Sequence, residues 1–159
     1  MPRRALQTEV VTDRDDLRAD RGRVLALVWA GMVLGVSFLA TPAKFLAPSL
    51  PLPVALDVGR HTFRIFGRVE LALTALLGLR AAAPARHCLL ALSPGLIVLA
   101  QALWLRPRLD ARTRQVVAGQ PPTPSRLHLA YVTSEAAKLA ALLTLGLTVG
   151  RPNVRRNGR

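Results

Sequence analysis

Apolar residues in this chain fall into four blocks, and the charges gather between them. The first block, Val24 to Ala43, reads VLALVWAGMVLGVSFLATPA and contains no charged residue. A helix of about 20 such residues crosses the roughly 30 Å hydrocarbon core of a bilayer at about 1.5 Å per residue. The third block, Cys88 to Leu105, is equally free of charge, although Ser93-Pro94-Gly95 in its middle predicts a kink. The second block, from His61 to Leu79, and the fourth, from Leu127 to Gly150, are apolar in their C-terminal halves and carry ionisable residues in their N-terminal halves. A cleaved signal peptide fits this pattern poorly. The first block follows a polar stretch, is too long for a signal core, and is followed by three more blocks.

The pattern therefore predicts an all-α fold, a four-transmembrane-helix bundle with spans at 24–43, 61–79, 88–105 and 127–149. A polar cytoplasmic tail (1–23) precedes it and a basic tail (151–159) follows. Pro48, Pro51 and Pro53 break the chain after the first span, and Asp57 is the expected N-cap of the second helix. Ala81 to Pro84 reads as a short turn with Pro84 at a first helical position, and Thr123-Pro124 as the start of the fourth helix. Arg106, Arg108, Arg112 and Arg114 around Asp110 predict a basic helical stalk after helix three.

Composition then looks contradictory, since 51% of residues are hydrophobic while 22 Lys and Arg outnumber 9 Asp and Glu, a net charge of +13. Position resolves most of it. With four spans, the N-terminal tail, the second loop and the C-terminal tail share one side, and they hold Arg3, Arg4, Arg14, Arg18, Arg21, Arg23, Arg80, Arg86, Arg151, Arg155, Arg156 and Arg159. The other side holds the smaller set Lys44, Arg60, Arg106, Arg108, Arg112, Arg114 and Arg126. The positive-inside rule thus places both termini in the cytoplasm, for a multi-pass protein of a cell inner membrane or plasma membrane. Flanking arginines of this kind meet anionic lipid head groups, each contributing on the order of 1 kcal/mol. With aromatics at only 4%, the base-stacking residues of a nucleic-acid module are lacking, so no nucleic acid is expected as a partner.

Five charged residues remain inside the spans: Arg64, Arg68, Glu70, Glu135 and Lys138. A charge at mid-membrane costs about 2.5 to 3.5 kcal/mol on insertion scales, so such residues face the bundle interior and pair. On the fourth helix His128, Tyr131, Glu135 and Lys138 fall within an arc of roughly 80° and form one polar stripe. On the second, Arg60, Arg64 and Arg68 repeat every four residues, while Glu70 points elsewhere. Both helices start from the same side, so the cluster sits at matching depth, and the expected ion pairs are Arg68 with Glu135 and Glu70 with Lys138. Two readings stay open. The pairs fix helix register, or they line a polar cavity for a small solute, ion or proton. Gly31 and Gly35 in the first span, and Ala136, Ala137, Ala140 and Ala141 in the fourth, predict close approach of helices one and four.

Single Cys88 and scattered histidines exclude a disulfide framework and a zinc module. His61 and His128 start from one side and His87 from the other, a poor arrangement for a haem. No Gly-rich phosphate loop, nucleophile elbow or Cys-x-x-Cys is present, so neither cofactor nor metal is expected. The leading expectation is a non-enzymatic membrane protein that binds or conducts a small solute, or assists a membrane complex, through the cluster between helices two and four. A bundle this small makes self-association or a membrane-complex partner a reasonable expectation. The alternative is a small membrane enzyme acting on a lipid or quinone-like substrate through His128, Glu135 and Tyr131.

The segments FLATPAKFLAP, ALDVGRHTFRIFGRVE and SRLHLAYVTSE place Thr41-Pro42 with Ala47-Pro48 after helix one, Gly59 with Phe63 and Phe66 in helix two, and Leu127-His128 entering helix four. Over residues 24–148 this resembles an uncharacterised four-helix membrane family similar to transmembrane protein 205. The resemblance implies a multi-pass membrane architecture and no particular activity.

Overall fold

In the computed structural model, residues 20–80, 85–121 and 124–148 are described. Among them there are four helices and no strand. Helix α1 runs Asp20–Phe45 and α2 Leu52–Arg80. Helix α3 is continuous through Ala85–Ala100, Gln101–Leu105 and Arg106–Val117, and α4 runs Leu127–Thr148. The expected tail 1–19, the turn at 81–84, Thr123 and the C-terminal tail lie outside the described residues. α1 and the Leu90–Val117 part of α3 are long and apolar enough to cross a membrane.

Helix α2 starts about a turn and a half before Asp57, which is a correction to the expected cap. The Pro51 carbonyl accepts the first helical bond, from the Ala55 N–H at 3.0 Å. Pro53 sits in the first turn, where a missing N–H costs nothing. Asp57 is left inside the helix, where it accepts hydrogen bonds from Arg60 one turn on, at 2.6 and 3.0 Å. With 29 residues, α2 is roughly 43 Å long and exceeds the ~30 Å apolar core of a bilayer.

Prolines shape α1 and α3 without ending them. Pro94 lies inside α3, and the carbonyl it leaves without an N–H partner, that of Leu90, accepts the Ser93 hydroxyl at 2.9 Å. Pro42 and Pro107 are each preceded by a wider π-helical stretch, Leu34–Ala40 and Gln101–Leu105. There the N–H groups of Thr41 and Arg106 bond back five residues, to Val36 and Gln101. The wider turn keeps the proline ring off the carbonyl four residues earlier. Each stretch also carries a polar side chain, Ser37 or Gln101, into the bundle.

Trp29 and Val33 of α1, Phe66 and Leu77 of α2, Val98 of α3, and Leu142 and Leu145 of α4 form one core. The outer surface is apolar as well, with Leu39, Leu96, Leu103 and Leu147 more than half exposed. Helices α1 and α4 do approach closely, but not through the expected small residues. Gly31 and Gly35 have open space beside them, and Ala136, Ala137 and Ala140 are exposed. Contact is made at Gly146, where a Cβ would stand 2.5 Å from Leu27 Cδ2 and 2.6 Å from its Cγ. Gly146→Ala is therefore expected to lower stability by about 1–3 kcal/mol through overpacking. Gly31→Ala should be neutral or raise it by up to about 1 kcal/mol. Denaturant titration of both variants in detergent distinguishes the two positions, and equal effects would refute the assignment.

Candidate functional site

Four side chains that leave water only at high cost, three of them ionisable, are fully buried together: Glu70, Gln101, Glu135 and Lys138, each at most 1% exposed. Their burial is tolerable because each is saturated. The Lys138 ammonium has three donors, and it gives them to Glu70 Oε1, to Glu135 Oε1 at 2.8 Å and to Gln101 Oε1 at 3.1 Å. Glu70 also accepts from Arg106, and from Trp29 Nε1 at 3.4 Å. Glu135 accepts from Gln101 Nε2 at 2.9 Å and, on its other oxygen, from Ser37 at 2.8 Å. The second Gln101 N–H goes to Ser134 Oγ at 2.7 Å, which donates to the Tyr131 carbonyl. Two carboxylates face two cations, and all four helices contribute. A buried network in which each carboxylate is matched by a cation fixes one arrangement of the helices, since any slip strands a charge.

The expected Glu70–Lys138 pair is present, and the stripe on α4 places Tyr131, Glu135 and Lys138 inward. The Arg68–Glu135 pair is not formed. Arg68 is exposed and makes no hydrogen bond or ion pair among the described residues. The reason is angular: Phe66, Gly67 and Glu70 occupy the inward face of α2, and the Arg60, Arg64, Arg68 row lies off it. Glu135 is compensated instead by Lys138 one turn away on its own helix. Arg64 is outside the buried network too, half-exposed and 3.6 Å from Asp110. His128 is exposed.

Sequence reasoning missed Arg106, Gln101, Trp29 and Ser37. Arg106 has the sequence position of a flank charge, yet it is the second cation on Glu70. It reaches there over Gly67, where a Cβ would lie 1.7 Å from its Nη1. The extension Arg106–Val117 is helical as expected, but it packs on the N-terminal part of α2 instead of projecting freely. Asp110 binds the α2 arginines Arg60 (3.7 Å) and Arg64 (3.6 Å) together with Arg114 (3.4 Å). The Arg60 hydrogen bond holds the exposed Asp57 carboxyl below its usual pKa range. A legible signal was Gln101 itself, an amide in an otherwise apolar block.

At the end of the bundle where α1 finishes and α2 and α4 begin, the network borders a cavity of about 460 Å³. Ser37, Tyr131, Glu135 and Arg106 belong to both. The cavity is lined by the aromatic residues Phe38, Phe45 and Phe63 and by the cations Lys44, Arg60, Arg64 and Arg114, with His128 and Asp110. Phe63 meets Tyr131 edge-on, with ring centroids 5.2 Å apart. Among the described residues, the buried side-chain atoms left without a hydrogen-bond partner are the Tyr131 hydroxyl and Arg106 Nε. Both belong to residues of this wall. No group of three His, Cys, Asp or Glu among the described residues could hold a metal ion.

Compared with known proteins, the chain matches no family model, no curated protein and no solved structure.

Proposed function

We propose that this is a multi-pass membrane protein of four spans, with both termini cytoplasmic, in an inner or plasma membrane. It binds a small solute in the cavity at the outer end of the bundle, and it does so without chemistry on the solute. In the same proposal the chain has the architecture of the family similar to transmembrane protein 205, and anionic lipid head groups contact its arginine flanks.

For the spans, α1 and α3 supply the length and apolarity. Helices α2 and α4 are less apolar because of their charges: Glu70, Glu135 and Lys138 are turned inward and neutralised, Arg60 and Arg64 pair with Asp110, and Arg68 is exposed. Trp104, exposed near the end of the apolar part of α3, lies under Arg108 at 4.5 Å, an aromatic and cation pair suited to the membrane–water boundary.

For binding, the observation that carries the reading is the meeting of a buried, charge-balanced network with a solute-sized cavity. The network locks the helices that form the cavity wall, so the site is preformed, and cavities of about 300–1,000 Å³ with apolar walls and a few polar groups are the usual form of small-molecule sites. The test is native mass spectrometry of the protein purified in mild neutral detergent. A small molecule should remain bound, and Ala102→Trp, which places an indole in the cavity without removing a charge, should release it. Retention in Ala102→Trp, a protein that comes through empty, or recovery of a partner chain alone would overturn the reading.

A further inference from the structure

The sign and placement of charge around the cavity say what kind of solute fits. Three guanidinium groups, those of Arg60, Arg64 and Arg114, share the single carboxylate of Asp110. Among the described residues, Arg60 has a second acidic partner, Asp57, and Arg64 and Arg114 have none. The acid on the cavity floor, Glu135, is already taken by Lys138, Gln101 and Ser37. Among the described residues, the cations lining the cavity therefore exceed the acids paired with them.

Lys44 is the clearest case. Among the described residues it forms no ion pair, and its ammonium rests instead over the Phe45 ring at 5.1 Å and the Phe63 ring at 5.9 Å. It lies in the notch of Gly59, where a Cβ would be 2.1 Å from Nζ. A ring face satisfies an ammonium less well than an anion does, so this group is held ready beside the aromatic wall. Charge and aromatic surface thus meet at one point, and a ligand spanning both must be charged at one end and apolar at the other.

The geometry points to an anionic amphiphile as the ligand, with its phosphate or carboxylate head at Lys44 and the arginine rim and its apolar tail against the aromatic wall. This rests on the cavity being a binding site at all. In protein held in the sterol-type detergent digitonin, binding of dodecyl phosphate is compared with that of dodecanol, which has the same tail without the charge, and of inorganic phosphate, which has the charge without the tail. Dodecyl phosphate is expected to bind most tightly. Lys44→Gln should weaken it roughly fivefold, the effect of one cation near an anionic head group, while Lys44→Arg keeps it.

Competition by long-chain phosphatidic acid would assign the head to a membrane lipid, and absence of competition to a soluble amphiphile; both support the class. Equal binding of dodecanol and dodecyl phosphate, each blocked by Ala102→Trp, would leave the cavity standing as a site and overturn the anion preference. A preference for dodecyl phosphate untouched by Lys44→Gln would overturn the placement of the head. Binding that survives Ala102→Trp would overturn the cavity and the ligand class together.

Discussion

Replacing Lys138 by methionine is expected to destabilise the protein by about 3–5 kcal/mol, because it leaves the buried Glu135 carboxylate with no cation and takes one of two from Glu70. Glu70 would keep Arg106 and Trp29, but Glu135 would be left with only the neutral donors Ser37 and Gln101. The rescue is specific. Adding Glu135→Gln restores a balanced Glu70–Arg106 pair and should recover most of the loss. Adding Glu70→Gln instead leaves Glu135 and Arg106, which form no ion pair with each other among the described residues, and should recover less. Unfolding in detergent measures all four proteins. A Lys138→Met protein within about 0.5 kcal/mol of the parent would mean that the network contributes little.

The second large effect belongs to Arg106. Arg106→Gln removes a charged hydrogen bond to buried Glu70 and should cost about 1.5–3 kcal/mol. Gly67→Ala reaches the same end by another route, since its methyl would stand 1.7 Å from Arg106 Nη1 and 2.7 Å from Cζ. The flexible end of the arginine can move away, so the loss is that of the ion pair and not of backbone packing. The better helix propensity of Ala returns up to about 1 kcal/mol. The double variant should then be no worse than Arg106→Gln alone. Additive losses in a double-mutant cycle would show that Gly67 matters for some reason other than admitting Arg106.

These two positions show what could be read in advance. Glu70 and Lys138 announced themselves because a charge inside an apolar block must find a partner, and matching depth on two helices named which partner. The α4 stripe was equally legible, since 3.6-residue periodicity alone brings Tyr131, Glu135 and Lys138 to one face. Arg68 misled because depth was right and direction was wrong; a row spaced every four residues lies at its own angle to the Phe66, Gly67, Glu70 face. Arg106 could not be read at all. Its position in a basic run resembles a flank, and only the gap at Gly67 lets its long side chain turn back into the bundle.

By itself the sequence determined the number of helices, their approximate extents and the inward face of α4, because these follow from local apolar periodicity and from the cost of exposing charge to lipid. Tertiary structure alone decided that the charges close into one neutral network of all four helices and that this network borders a cationic and aromatic cavity. The reason is physical: an ion pair depends on side-chain reach, on the angle each helix presents and on one missing Cβ, and none of these is a property of a single segment. The π-helical turns before Pro42 and Pro107 belong with them, since they complete the site with Ser37 and Gln101.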